Sequence, residues 1–254
     1  MSNASTNSFI RPSPAPASGS GPFSSANALT ADLTFGTRTI QVGPLAPVSG
    51  TAPPAYDPTK NIRHWQTTVN LQPGSPLRPT VQFQEGNVKT NAASSGIGID
   101  SESASAQVNI GSSTFLLTDN PSAPLGIAGI LGLSFSATGI QASASFSHVF
   151  GSSQNFVTGD ASFGSLTISG ALIGKTLTFS GDAAPNTVLF SSPTVTITLD
   201  KQVVTDLITT GSPSNVTPVG ITTEAIDISF HNASFLGTHL SGDIIIGLAA
   251  AGTT

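Results

Sequence analysis

Apolar side chains recur at every second position along most of this chain. Leu29, Ala31, Leu33 and Phe35 alternate with polar residues in ALTADLTF, and Ala104, Ala106, Val108 and Ile110 do so in SASAQVNI. Trp65, Thr67, Val69 and Leu71 repeat the pattern, as do Val195, Ile197 and Leu199, and then Ile226, Ile228 and Phe230. A period of two sends alternate side chains to opposite faces of an extended backbone, so each stretch reads as a half-buried β-strand. Near the C-terminus Ile244, Ile245, Ile246 and Leu248 form a continuous apolar strand, buried on both faces and too short to anchor in a bilayer.

Gly, Ser, Pro and Asn punctuate these runs. Gly36 falls where the inward parity changes and marks a bulge or turn. GPLAPVSGTAPPAYDPT carries five prolines, which cannot donate ladder hydrogen bonds, and reads as an extended crossing loop. Pro73 to Ala92 is the least regular part of the domain, with an apolar pair at Val81 and Phe83. The segment GSS at 111–113 reads as a turn. Thr138-Gly139 reads as the turn of a hairpin in ILGLSFSATGIQASASFSHVF, and Ser169-Gly170 as the turn of a second. One short helix competes, because Val203, Val204, Leu207 and Ile208 have helical spacing.

About ten to fourteen short strands predict an all-β fold, an antiparallel, jelly-roll-like β-sandwich. A β-solenoid is the alternative, but it needs a constant repeat that this chain lacks. Met1–Asn27 reads as a flexible, low-complexity N-terminal arm, and 28–254 as one all-β domain with 28–92 as an irregular subregion.

Composition narrows the function. Charged residues make up 8% of the chain, about a third of the usual share, while mean hydropathy is +0.18. The surface is therefore neutral and rich in hydroxyls, with little self-repulsion to keep copies apart. Eight Lys and Arg, thinly spread, offer no stripe to neutralise phosphates, so no nucleic-acid partner is expected. No stretch reaches membrane-spanning length, and the N-terminus lacks the charged start and apolar core of a secretory signal. With no cysteine, disulfides, thiolate nucleophiles and Cys-ligated zinc are excluded.

Candidate chemical residues are few. Asp100 and Glu102 are two apart, so on a strand they share a face and could serve acid/base or calcium chemistry. His231 and His239 lie eight apart and could meet across a hairpin, although zinc needs three or four ligands. Each group reads more readily as ordinary surface side chains. No G-x-S-x-G elbow, P-loop or dinucleotide fingerprint occurs, so no enzymatic activity and no cofactor are expected. Tyr56 and Trp65, the only Tyr and Trp, are the candidate stacking platform for a glycan.

Three stretches share a further pattern. They are ESASAQVNIGSSTFLLT, then ASFGSLTISGALIGKTLTFSGDAAPNTVLFSSPTVTITLDKQV, then GITTEAIDISFHNASFLGTHLSGDIIIGLAAAG. They contain a G-x-L-x-(I/V)-x-G strand at Gly164 to Gly170, the turn Pro185-Asn186, and V-x-(I/L)-x-L-x-x-Q at Val195 to Gln202. An A-(I/L)-x-(I/V) strand follows at Ala225 to Ile228, then a GD-led apolar ending at Gly242 to Gly252. Together these resemble the choice-of-anchor P type of bacterial cell-surface proteins, best over about 101–252. The resemblance implies an extracellular, β-rich domain of uncertain role and supplies no catalytic residues.

The expectation is a non-catalytic structural protein, extracellular or at a bacterial cell surface although no signal peptide is present. It would self-assemble into a fibre, sheath or surface matrix by strand addition, with Leu29, Ala31, Leu33 and Phe35 on the donor strand and other copies of itself as partners. The alternatives are a monomeric adhesion or glycan-binding module at the cell surface, and a virion structural protein.

Overall fold

The computed structural model describes residues 21–72, 79–96, 101–119, 132–151, 154–208 and 216–253. Thirteen strands and no helix make up the regular structure of these residues: β1 (Pro22–Phe35), β2 (Arg38–Leu45), β3 (Val48–Thr51), β4 (Thr59–Asn70), β5 (Thr80–Ser95), β6 (Ser101–Thr118), β7 (Leu133–Val149), β8 (Asn155–Gly170), β9 (Leu177–Asp182), β10 (Thr187–Ser191), β11 (Val195–Ile208), β12 (Val216–Phe235) and β13 (Thr238–Thr253). They form two antiparallel sheets. Sheet A runs β10-β11-β12-β13-β1-β2, with β3 also paired to β1, and sheet B runs β4-β5-β6-β7-β8-β9. The sheets stack as a sandwich around one core cluster reaching from Ala26 to Ala251.

Hydrogen-bonded neighbours are consecutive in the chain except where β13 meets β1 and where β3 lies beside β1. The connections are thus those of a meander, not the crossed connections of a jelly roll. The first described strand, β1, lies in the middle of sheet A, and the path leaves by the β2–β3 edge and crosses to sheet B. It meanders through all six strands there and returns to sheet A at β10. Pairing of Pro22 with Thr253 then joins the two ends of the path.

Several expectations need correcting. β1 begins at Pro22, six residues before the expected start of the domain. The irregular stretch Pro73–Ala92 contains most of β5, a 16-residue strand. The expected helix is a strand: Val203 pairs with Thr222 and Val204 with Ile221, and both valines are exposed on opposite sides of β11. The segment GSS lies inside β6, and Thr138-Gly139 lies inside β7. Ser169-Gly170 does end a strand, and Gly36 does lie in the β1–β2 turn.

The two misplaced turns have one physical cause. Asn87 and Gly111 face each other between the pairs Gly86–Ser112 and Val88–Ile110, and Gly111 faces Gly139 between Ile110–Ile140 and Ser112–Thr138. A Cβ on Gly139 would lie 3.3 Å from the Gly164 nitrogen on β8, so the row continues. Asn87 and Gly139 adopt left-handed backbone, with φ of 52° and 59°. Along this row each strand changes which parity points inward. On β7, Phe135 and Ala137 are core residues before it, and Ile140, Ala142, Ala144 and Phe146 after it. Sheet A has a matching row at Asp200, Ala225, Gly247 and Ala28, with left-handed backbone at Asp200 and Gly247. The register is the same on either side of both rows, so each is a break in the ladder with no residue inserted, and strands of up to 20 residues keep one face on the core through it.

Candidate functional site

Polar side chains inside a sandwich must be satisfied or they cost free energy, so the buried ones locate any built chemistry. Glu85 is the extreme case, fully buried on the inward face of β5 after Val81 and Phe83. The Ser113 hydroxyl donates to its Oε1 at 2.7 Å, and Oε2 has no partner among the described residues. Burial pushes this carboxyl from the ordinary 4.5 up to about 8, against the opposing effect of the Ser113 bond. It is a neutral acid at pH 7, held among apolar side chains.

A second polar group joins the two sheets. The Gln202 amide donates to the Gly159 carbonyl of β8 at 2.9 Å and to both oxygens of buried Asp200. The Gln202 backbone N–H donates to Asn186 Oδ1 at 3.0 Å, and the Asn186 N–H donates to the Asp200 carbonyl at 2.8 Å. Burial raises the Asp200 pKa, its bond from Gln202 opposes this, and the nearby Asp160 charge adds to the rise. Thr90 makes a comparable tie, its buried hydroxyl donating to the Ala46 carbonyl at 2.7 Å. These are pins between layers. Asn186 and Gln202 belong to the Pro-Asn turn and the V-x-(I/L)-x-L-x-x-Q strand singled out in the sequence.

The outward face of sheet A carries a third group. Lys201 Nζ lies 2.5 Å from Asp227 Oδ2 and 3.7 Å from Glu224 Oε2. Ser229 donates to Asp243 Oδ1 at 2.6 Å, and Asp32 stands directly across from Asp243 in the β1–β13 register. The polar atoms of this ladder bond to one another along the sheet.

The residues expected to carry function are scattered. His231 and His239 are both exposed, His239 level with Ser234 and His231 in the bulge after Phe230. Asp100 lies outside the described residues. Glu102 sits opposite His148 on β7, whose Nδ1 is 2.7 Å from Asn155 Oδ1. Among the described residues no group of three or more His, Asp or Glu side chains is placed to hold a metal ion.

Tyr56 is half-buried against Gly50, with its hydroxyl 3.0 Å from Ser24 Oγ. Trp65 packs its ring against the core from β4. Tyr56 bonds the Ser94 backbone while Trp65 pairs with Glu85, nine residues away along β5. At strand rise that separation is roughly 30 Å, so the two rings do not form one platform. Leu29, Ala31, Leu33 and Phe35 are buried on the inward face of β1, which is paired on one side with β13 and on the other with β2 and β3.

Two surface concavities are formed by described residues. A depression of about 500 Å³ opens across β8 and β9, lined by Ser165, Leu166, Thr167, Thr178, Phe179 and Ser180, none of them titratable in the neutral range. A cleft of about 90 Å³ lies beside Phe23, Thr205 and Thr253, well below the few hundred Å³ that small-molecule sites usually offer.

The chain matches no family model, no curated protein and no solved structure.

Among the described residues, the outer strands of both sheets have one side without a strand partner. Sheet B ends in β4 on one side and β9 on the other, and sheet A ends in β2 with β3 on one side and β10 on the other. Each outer strand presents a row of N–H and C=O groups ready to pair with another chain. These edges were not legible from the sequence, because edge position follows from strand order and not from residue type. The polar content of TKNIRHWQTTVN on β4 was the available signal.

Proposed function

We propose that this protein is a non-catalytic structural protein that assembles with copies of itself by strand addition, outside the cell or on its surface. The observation that carries the reading is the set of unpaired edges at both sides of both sheets. Strand addition uses main-chain hydrogen bonds and needs no dedicated pocket. The low charge of the chain supports it, since weak self-repulsion favours close packing of copies. The resemblance to choice-of-anchor P surface proteins supports the location. In this reading β1 is part of each subunit's own sheet and the outer strands make the contacts.

Sedimentation velocity and electron microscopy of the full chain over a wide concentration range test this. The expected result is fibres or sheets that grow with concentration, whereas monodisperse monomers throughout would refute it.

A second reading draws on the outward face of sheet B. Ser95 and Ser103, Ser145 and Thr158, and Thr138 and Ser165 form hydroxyl pairs at 2.6–2.8 Å across neighbouring strands. Such a neutral, hydroxyl-bearing face suits hydrogen bonding to a glycan, with the protein acting as an adhesion module. Binding on a glycan array by monomeric protein would favour it.

A further inference from the structure

The edges differ in charge, and the strand count in each sheet dictates how two of them can meet. We propose that copies add head to tail, with the β2–β4 side of one copy seated on the β9–β10 side of the next, so that both sheets run on unbroken through the assembly. The proposal rests on the self-assembly reading and names the surfaces that would carry it.

Parity is the first argument. Sheet B has six strands and sheet A seven, of which β2 and β3 share one edge beside β1, so each sheet is six positions across and fully antiparallel. A second copy placed alongside in the same orientation therefore sets its β4 antiparallel to β9 and its β2 antiparallel to β10. An odd count would have made the new pairing parallel. Both sheets satisfy the condition with one operation, because β2, β3 and β4 lie on one side of the sandwich and β9 and β10 on the other.

Level is the second. In sheet B a single row of paired residues runs Asn61–Lys89–Asn109–Gln141–Ser162–Asp182, and another runs Thr67–Phe83–Phe115–Phe135–Ile168–Leu177. All of β9 thus stands level with the stretch Asn61–Thr67 of β4. In sheet A the rows Gln41–Asp32–Asp243–Ser229–Thr196–Ser191 and Leu45–Leu29–Ile246–Ile226–Leu199–Thr187 place β10 level with Gln41–Leu45 of β2. A step along the hydrogen-bonding direction then aligns both pairs of edges without sliding either sheet. Strand twist makes that step a screw.

Charge is the third. Arg38, Lys60, Arg63 and Lys89 are exposed on the β2–β4 side, together with His64, and outnumber the exposed acid Asp57, which accepts from the Asn91 amide at 2.6 Å. On the far side Asp160 and Asp182 are exposed on β8 and β9, and Asp206 on β11. The two lysines there are engaged, Lys175 over the Phe190 ring at 5.1 Å and Lys201 with Asp227. Asp182 lies on the Asn61 row, and Asp160 on the row Thr59–Asn91–Gln107–Ser143–Asp160, so the acids stand level with Lys60 and its neighbours. Lys60 and Arg63 also oppose pairing of β4 with another β4, where like charges would meet. The same residues that block a closed two-fold dimer thereby favour the open, head-to-tail contact.

The test compares the full-length wild type with Lys60→Glu/Arg63→Glu and with that variant carrying Asp160→Lys/Asp182→Lys as well. All four positions are exposed, and far-UV circular dichroism checks that each variant is folded. The concentration needed for assembly should rise at least about tenfold in the first variant, as attractions across the contact become repulsions, and should return towards wild type in the second. Wild-type assembly should weaken as salt is raised towards 1 M. Assembly of Lys60→Glu/Arg63→Glu at the wild-type concentration would overturn this interface while leaving self-assembly intact. A wild type that never assembles would overturn the underlying reading as well.

Discussion

Buried Glu85 sets a pH dependence that can be worked out with its sign. Its folded pKa of about 8 lies above the unfolded value near 4.5, so between these limits the folded chain keeps a proton that the unfolded chain has released. Its contribution is fully present below pH 4.5 and is lost as pH rises towards 8, at up to about 1.4 kcal/mol per pH unit. Urea midpoints for wild type and Glu85→Gln should diverge across that window, with the variant gaining relative stability as pH rises. Equal midpoints at pH 5 and pH 8 would contradict this. Gln202 is a pin between sheets, and Gln202→Ala strips partners from buried Asp200 and from the Gly159 carbonyl. The expected loss is about 1–3 kcal/mol by the same measurement. Gly242, with φ of 114°, passes so close to the Asp32 carbonyl that an added Cβ would collide with it. A Gly242→Ala chain should therefore lose stability even though alanine is small.

Strands were the most legible elements of the sequence, and their ends the least. Alternation located the cores of β1, β4, β6, β7, β11 and β12, a continuous apolar run that of β13, and proline marked the region of the crossing from sheet A to sheet B. Thr138-Gly139 reads as a turn because a glycine at a change of inward parity looks the same in a hairpin turn and at a ladder break within a continuous strand. Only the alignment of Asn87, Gly111, Gly139 and Gly164 on neighbouring strands separates the two, and that alignment is a property of the sheet. Val203 and Val204 suggested a helix because this part of β11 exposes both faces and so shows no alternation. Glu85 could have been found, since it continues the Val81–Phe83 alternation in VQFQEGN. The row of ladder breaks in sheet B yields its own prediction: Gly139→Val should cost about 1–2 kcal/mol, because left-handed backbone strongly disfavours a β-branched side chain. Gly139→Asn should be milder, as Asn87 already holds that conformation on β5. Thermal denaturation of the two variants side by side reads the difference.

At the scale of the whole molecule, the described strands form a double meander whose first and last strands pair in the centre of sheet A and whose outer strands have no strand partner on one side among the described residues. Its order was hidden in the sequence because meander and jelly roll can be built from the same alternating strands. The edges that follow from that order give the protein two different sides, one basic and one acidic, each six strands from the other. Continuing the sheets through successive copies would advance each subunit by six strand spacings, about 29 Å along the assembly axis. Electron microscopy of the assembled full-length protein, with the axial rise measured from helical averaging, tests this account most directly. A rise near 29 Å, with strands lying across the axis, is the predicted result. Particles that stay monomeric, or fibres whose strands run along the axis, would contradict it.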